Sequence, residues 1–409
     1  MGKALIVGTT ADTAATGEEF NPFGFVAYTG SEAQTQVNCT EDATFSNIRT
    51  NIISGNSGTA TFTFRDAGAA GNQTFQITGT GSNEDATNTD VLSAGDLFNI
   101  AYSDTGTNSN LPWFAANVTF ASGHGNFHGI GGYATIVFDA QSSTRFIPLA
   151  GNLVADGGTT ENNLEWKNRG YTSFEALQVL VAANARTNNS DFKNRINGGP
   201  GSLVCQFAGG ATGRVTDSSP ADSLADGDTI NASITLDTGL EDLTISNVIA
   251  TLKSSSSKSE IWIGIHAGVA RTASATAHYV PIGGYLFSLT ALTEAQARLK
   301  PGFAAVVSNL RCYLSANTYT GDGTLKLYQN GSAVLTTTIT ASGGAGWYEN
   351  TSDTITIDAD DELSFEFDEG TSGSITIHSV GITFAPVAAP GGTILPQMMQ
   401  HGLFLGMRT

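Results

Sequence analysis

Three stretches of this 409-residue chain are written in one pattern: LSAGDLFNIAY from Leu92, LADGDTINASI from Leu224 and IDADDELSFEF from Ile357. Each has an apolar residue, a short acidic or Gly-containing turn, then alternating apolar and polar positions. Gly95 to Gly227 is 132 residues and Gly227 to Asp360 is 133, the length of a small domain and far longer than a solenoid turn. Other segments keep the same register. FIPLAGNL from Phe146 matches YVPIGGYL from Tyr279, with a weaker FNPFGFVAY at Phe20; SNIRTNI from Ser46 matches SNLRCYL from Ser308, and EALQVLV from Glu175 falls between them. The repeat covers almost the whole chain, so the fold has to be one that is built three times.

Composition decides the class of that unit. Charged residues are only 13% of the chain and Gly reaches 48, with Thr, Ser, Asn and Ala where the straight-chain helix formers would stand. Period-two alternation marks strands in TATFTFRD from Thr59, QTFQITG from Gln73, ITLDTG from Ile234, GTLKLYQNGSAVLTTTIT from Gly323, LSFEF from Leu363 and SITIHSVGITF from Ser374. Asn330-Gly331 predicts a type I′ hairpin, since both central residues need positive φ, and the third copy reads as a β-meander. TALTEAQARLK from Thr290, with Thr293 at its start, and TTENNLEWKN from Thr159 predict short surface helices. The copies are expected at residues 1–122, 123–253 and 254–385, divided at the SGHGNFHG loop near Ser122 and the polar KSSSSKSE link near Lys253.

After Phe384 the alternation stops and APVAAPGG leads to TILPQMMQHGLFLGMRT. All methionines but the initiator lie here. Ile394, Leu395, Met398, Met399, Leu403, Phe404, Leu405 and Met407 would make an exposed apolar tail, so segment 386–409 is expected to be an extended arm that docks on a partner. Packing back on the third copy is the alternative.

Charge limits the partners. The net charge is −19, and no stretch gathers Lys or Arg with aromatics, so direct nucleic-acid binding is not expected. The amino terminus has only a four-residue apolar run, Ala4 to Val7, against the roughly 7–15 of a secretory core. No segment approaches the ~20 apolar residues of a membrane span. A product made in a host cytoplasm with no membrane partner is the expectation.

Chemistry-bearing constellations are sparse. Cys39, Cys205 and Cys312 are odd in number and fall at different places in the copies, which excludes a repeated disulfide. His124 and His128 stand four apart in a Gly-rich segment with no third ligand nearby, and Asp353, Asp358, Asp360, Asp361 and Glu362 lack calcium-loop order; each is weighed against a plain loop or solvated turn. Trp113, Trp347 and Tyr348 either stack on sugars or belong to a core or interface. No nucleophile elbow, zinc-helix motif, P-loop or dinucleotide fingerprint occurs. No catalytic, metal-ligating or cofactor-binding residue is nominated.

At Gly95-Asp96 and Gly227-Asp228 the sequence resembles the jelly-roll sandwiches of the complement and tumour-necrosis-factor type, with Asp360-Asp361 departing from it. The implied fold is all-β: three tandem antiparallel β-sandwich, jelly-roll-like domains and a C-terminal extended arm. In overall style the chain resembles virion structural proteins of tailed bacteriophages, such as head decoration or cement proteins and head fibres. That resemblance implies a non-enzymatic protein without cofactors, bound to the major capsid protein or other virion proteins. It also implies a homo-oligomer, plausibly a trimer, unless one chain sets its own three copies around a pseudo-threefold. The alternative is a tail- or fibre-associated adhesin or carbohydrate-binding protein.

Overall fold

The computed structural model describes residues 2–8, 18–21, 31–106, 111, 113–121, 125–139, 143–151, 157–236, 241–254, 258–273, 277–283, 292–368 and 370–387, with backbone alone over 125–135 and 262–267. Residues 394–407 of the expected docking arm, and His124, lie outside these ranges.

Among the described residues the alternating runs become eight main strands to a unit, with two-residue strands at Val37–Asn38, Trp166–Lys167 and Asp222–Ser223 besides. The first unit has β1 (Gly2–Gly8), β2 (Glu18–Asn21), β3 (Ala43–Ile52), β4 (Thr59–Asp66), β5 (Ala69–Thr78), β6 (Gly81–Leu92), β7 (Leu97–Asp104) and β8 (Phe114–Phe120). The second has β9 (Gly125–Phe138), β10 (Thr144–Ile147), β11 (Ser173–Asn184), β12 (Ser190–Ile196), β13 (Gly199–Phe207), β14 (Gly213–Asp217), β15 (Thr229–Thr235) and β16 (Leu243–Lys253). The third has β17 (Ser259–Thr272), β18 (His278–Pro281), β19 (Ala305–Asn317), β20 (Gly323–Gln329), β21 (Ser332–Ile339), β22 (Gly346–Ile357), β23 (Leu363–Asp368) and β24 (Ser374–Pro386). Equivalent strands differ by eight in this numbering.

Every pairing is antiparallel, and each unit repeats one topology. The sheets of the first run β1-β8-β3-β6 and β2-β7-β4-β5, those of the second β9-β16-β11-β14 and β10-β15-β12-β13, and those of the third β17-β24-β19-β22 and β18-β23-β20-β21. Two sheets of four main strands fed alternately in this order form a jelly roll, and the short strands Val37–Asn38, Trp166–Lys167 and Asp222–Ser223 pair with β7, β15 and β11. The meander expected for the third copy is thereby corrected: β20 and β21 do form a hairpin, but β22 crosses to the other sheet. Alternation reports which side chains turn inward, and both sheets share one interior, so it cannot assign a strand to a sheet. The SGHGNFHG loop is also corrected, because β9 starts at Gly125 and places His128 opposite Ala250.

Inward faces of the two sheets meet in each core. Phe45 from one sheet lies 5.0 Å from Phe64 and 4.6 Å from Phe98 of the other, ring centre to ring centre. Burying one such side chain contributes about 1.5–3 kcal/mol. Cys39, Cys205 and Cys312 are buried and unbridged, and burial pushes the Cys39 and Cys205 thiols up to about 12.

The turns explain why the repeat is legible. Asp96, Asp228 and Asp361 each accept a hydrogen bond from the amide three residues earlier, at 2.7 Å in all three units. Gly95 and Gly227 have φ of 103° and 89°. Asp360 replaces that glycine in the third unit, yet the aspartate that closes the turn is kept. The hairpin after β4, β12 and β20 turns on Ala67-Gly68, Asn197-Gly198 and Asn330-Gly331, all with positive φ. Ala67 sits at φ 47°, in the left-handed region that costs a residue with Cβ about 1–2 kcal/mol and that Asn tolerates better. Ala67→Asn, which copies the other two units, is expected to stabilise the protein by about 0.5–1 kcal/mol in denaturant titrations.

Buried carboxylates stitch one sheet to the other. Asp90 on β6 accepts from the Asn72 and Gln73 amides and the Gln73 side chain. Asp85 accepts from the amides of Thr74, Thr87 and Asn88 and from the Asn88 side chain. Burial pushes the Asp85 carboxyl up, but those hydrogen bonds outweigh it and hold it at about 2 against an ordinary 3.8. A depressed carboxyl stabilises the fold above its unfolded value and loses that contribution as pH falls toward its folded value. The difference in Tm between the native protein and Asp85→Asn should therefore be full above pH ~4 and shrink toward pH ~2; a difference that does not change with pH would contradict the assignment.

Candidate functional site

The three units are not beads on a string. Their first strands β1, β9 and β17 approach one another pairwise, so the units surround a common axis. β1 shows the consequence for sequence: Ala4 and Ile6 turn into their own core, whereas Leu5 and Val7, with Trp113 and Ala115, join the hydrophobic cluster of the third unit. A strand buried on both faces reads as a continuous apolar run. Ala4 to Val7 is that run.

Each joint places the segment after one unit's second strand on the outer face of the next unit's first sheet. At the centre of each joint a strand residue reaches a backbone carbonyl. Arg49 on β3 donates from Nε to the Lys300 carbonyl at 2.8 Å, and Arg311 on β19 donates from Nε to the Lys167 carbonyl at 3.0 Å. At the remaining joint Gln178 on β11 holds the equivalent position; its Oε1 accepts from the Asn38 amide at 3.3 Å and from Arg214, whose Nη2 reaches the Gln36 carbonyl at 2.7 Å. The third unit thus rests on the first, the second on the third and the first on the second. Head-to-tail contacts that close after three steps make a ring with a pseudo-threefold axis.

Local backbone geometry aims the two arginines. Asn47 and Asn309 have φ of 55° and 56° inside strands, where the register against both neighbours slips. Such a bulge re-aims a side chain. Each arginine donates Nη1 back to that asparagine's carbonyl, at 2.6 Å for Arg49 and 2.9 Å for Arg311. Buried Arg in repeated SNIR and SNLR segments was the sequence signal for the joints. Composition and alternation did not single it out.

The joints differ in electrostatics. Between the second and third units, Arg311 donates to Glu260 at 2.9 Å, and both side chains are shut from solvent, 1% and 0% exposed. Glu260 also accepts from the Arg169 amide and the Thr383 hydroxyl, while its own amide donates to the Tyr171 hydroxyl. Burial pushes the Glu260 carboxyl up, and Arg311, Thr383 and the Arg169 amide pull it back. Beside this pair, Glu349 is held by Lys167 at 2.5 Å and by Arg169 at 3.0 Å. Trp347 packs 5.3 Å from the Tyr313 ring with the Lys167 ammonium 6.0 Å above it.

At the joint between the third and first units, Arg49 has no carboxylate partner among the described ion pairs; it donates instead to Asn117 and to the Pro301 carbonyl, both at 3.0 Å. Burial lowers it to about 10, with Glu84 opposing, so it stays charged at neutral pH. A cleft of about 320 Å³ opens here, lined by Arg49, Asn51, Asn83, Trp113, Arg298 and Lys300 among others.

The expected site residues are therefore distributed as follows. Trp113 is buried at the joint of the third and first units, and Trp347 is half-buried at the joint of the second and third. Tyr348 donates to the Gly344 carbonyl and packs on the third core. Asp361 closes its turn, Glu362 pairs with Arg298 at 2.8 Å, and Asp353 accepts from Asn350. Among the described residues no group of three His, Cys, Asp or Glu side chains is placed to hold a metal ion, and no helix is long and apolar enough to cross a membrane.

Fold and joints together define the class: a single-chain ring of three jelly rolls. No protein-family model matches the chain, and no curated protein matches it. Among solved structures it is similar to one from the atomic structure of Sulfolobus Turreted Icosahedral Virus, at 14% identity and TM-score 0.21, covering 85% of this chain and 80% of that one. It is also similar to dimeric latent PorU from Porphyromonas gingivalis, at 7% identity and TM-score 0.24, and to a Paenibacillus xanthan lyase, at 9% and 0.19. The chain spans 33% of the former and 51% of the latter. At TM-scores this low none of these likenesses defines what this chain does.

Proposed function

We propose that this chain is a non-enzymatic structural protein of a virion, most simply a decoration or cement protein that sits on a capsid as a ready-made trimer. The closed ring of joints supports the reading. Among the described residues the three jelly rolls bury their joints on one another in a closed set, and they present three diverged loop sets around one axis. A surface of that kind suits simultaneous attachment to several neighbouring capsid subunits, where linked weak contacts add up to avidity. Segment 386–409 would be the docking arm, with Ile394, Leu395, Met398, Met399, Leu403, Phe404, Leu405 and Met407 as its apolar anchors. In this reading one chain does the work of a homotrimer.

The test is mass spectrometry of purified particles, with copy number measured against the major capsid protein. A simple stoichiometric ratio to capsid subunits supports decoration; a few copies per particle would move the protein to a tail or fibre, and absence would overturn the reading. Truncation at Pro390 should abolish incorporation while leaving the ring folded. Normal incorporation of the truncated chain would remove the arm from the proposal.

A further inference from the structure

The joint between the third and first units can be compared residue by residue with the joint between the second and third, because the strands are equivalent. Arg49 corresponds to Arg311, and the cross-strand partner Glu84 corresponds to Glu349. Lys300 corresponds to Lys167, since the carbonyl of each receives the arginine Nε. Two pairs further along, Trp347 lies opposite Tyr313, while Ser82 lies opposite Asn51. At the joint of the second and third units the indole and phenol pack on each other, 5.3 Å apart, and the space beside Trp347 and Arg311 is too small for a water molecule, whereas a hydroxyl and an amide stand at the other. The cleft opens beside those two small residues.

The lining selects a ligand chemistry. Arg49 already makes four hydrogen bonds, to Lys300, Asn47, Asn117 and Pro301, and Arg298 is bound by Glu294 and Glu362. Lys300 and Glu84 line the cleft exposed and without an ion pair between them, unlike Lys167 and Glu349. The three cations Arg49, Arg298 and Lys300 are matched by the three carboxylates Glu84, Glu294 and Glu362, which leaves no net charge to draw a phosphate or sulfate. The amides of Asn51 and Asn83 and the hydroxyls of Thr50 and Ser82 make the walls too polar for a purely apolar guest. The indole N–H of Trp113 is buried without an acceptor among the described residues. A guest that offers donors and acceptors together around a compact ring is a pyranose; the volume is at the low end for ligand cavities, which fits one sugar unit.

We infer that this cleft is a saccharide site that holds a single neutral pyranose of a glycan. The inference stands apart from the virion reading: the isolated full-length protein is sufficient to test it. The probes are methyl glycosides of glucose, galactose, mannose and N-acetylglucosamine, with glucuronic acid as the charged comparison. Saturation-transfer NMR and indole fluorescence are recorded up to about 10 mM, the range expected for a single weak subsite. Binding of at least one neutral glycoside is expected. Ser82→Trp, which installs the residue that the third unit carries, should weaken it about tenfold or more with Tm unchanged. Lys300→Met, at an exposed position, should weaken it about fivefold and guards against a packing defect in the first variant. Silence from every neutral glycoside, preference for the charged sugar alone, or binding that both variants retain would each overturn the inference.

Discussion

Arg311→Ala should destabilise the protein by about 3–5 kcal/mol, because it leaves Glu260 charged, buried and unpaired. The guanidinium also satisfies the Lys167 and Asn309 carbonyls, so its loss strips two further part-buried acceptors. A buried ion pair gives little net stability over an apolar pair of similar volume, and its removal from one side costs far more. Arg311→Met combined with Glu260→Leu should accordingly recover a large part of the loss. The measurement is a double-mutant cycle in denaturant, with positive coupling between the two sites. If the single and double replacements cost the same, the pair is not coupled as its 2.9 Å geometry requires. Arg311 holds the second unit to the third, so hydrogen exchange should also quicken over 161–171 in the single variant before the third core opens.

How much of this was written in the sequence depends on the range of the interaction. The sandwich class followed from alternation such as Ala60, Phe62 and Phe64 in TATFTFRD, where every second residue is buried. Asn330-Gly331 announced its hairpin because its backbone needs are local. Ala67-Gly68 makes the same turn with a residue that disfavours it, and there the surrounding strands impose what the dipeptide does not. Thr293 was legible as a cap and does form a capping box with Gln296, although the helix it starts is only Glu294–Ala297. The joints were illegible for a different reason. Arg49 and Lys300 lie 251 residues apart, and no local pattern links an arginine inside one strand to a carbonyl in another unit. Trp113 and Trp347 look alike as isolated aromatics, yet one stands just before β8 and the other in β22, and only the paired register shows that they serve neighbouring joints in different ways.

Arg49 carries the sharper test of the ring itself. The first unit is tied to the second through residues 121–125 and the second to the third through residues 253–259, whereas the joint of the third unit with the first has no such direct link and depends on non-covalent contacts. Its polar part is the Arg49 fan, the Asn117 amide on the Gly302 carbonyl at 3.2 Å and Asn51 on the Gln296 carbonyl at 3.4 Å. Arg49→Leu would leave the Lys300, Pro301 and Asn47 carbonyls without this donor, and a buried acceptor left unmade costs about 1–3 kcal/mol. A total near 3 kcal/mol is expected, concentrated at one seam, because the two linked joints keep the units at high effective concentration. Amide exchange should therefore rise in β1, β8 and residues 292–304, with β11 to β16 unchanged, and small-angle scattering should report a larger radius as the ring opens. The cleft lies in the same seam, so Arg49→Leu should also abolish any glycoside response while the cores of all three units stay folded. Uniform loss of protection across the three units would mean that the ring folds as one cooperative body and that the seam has no independent opening.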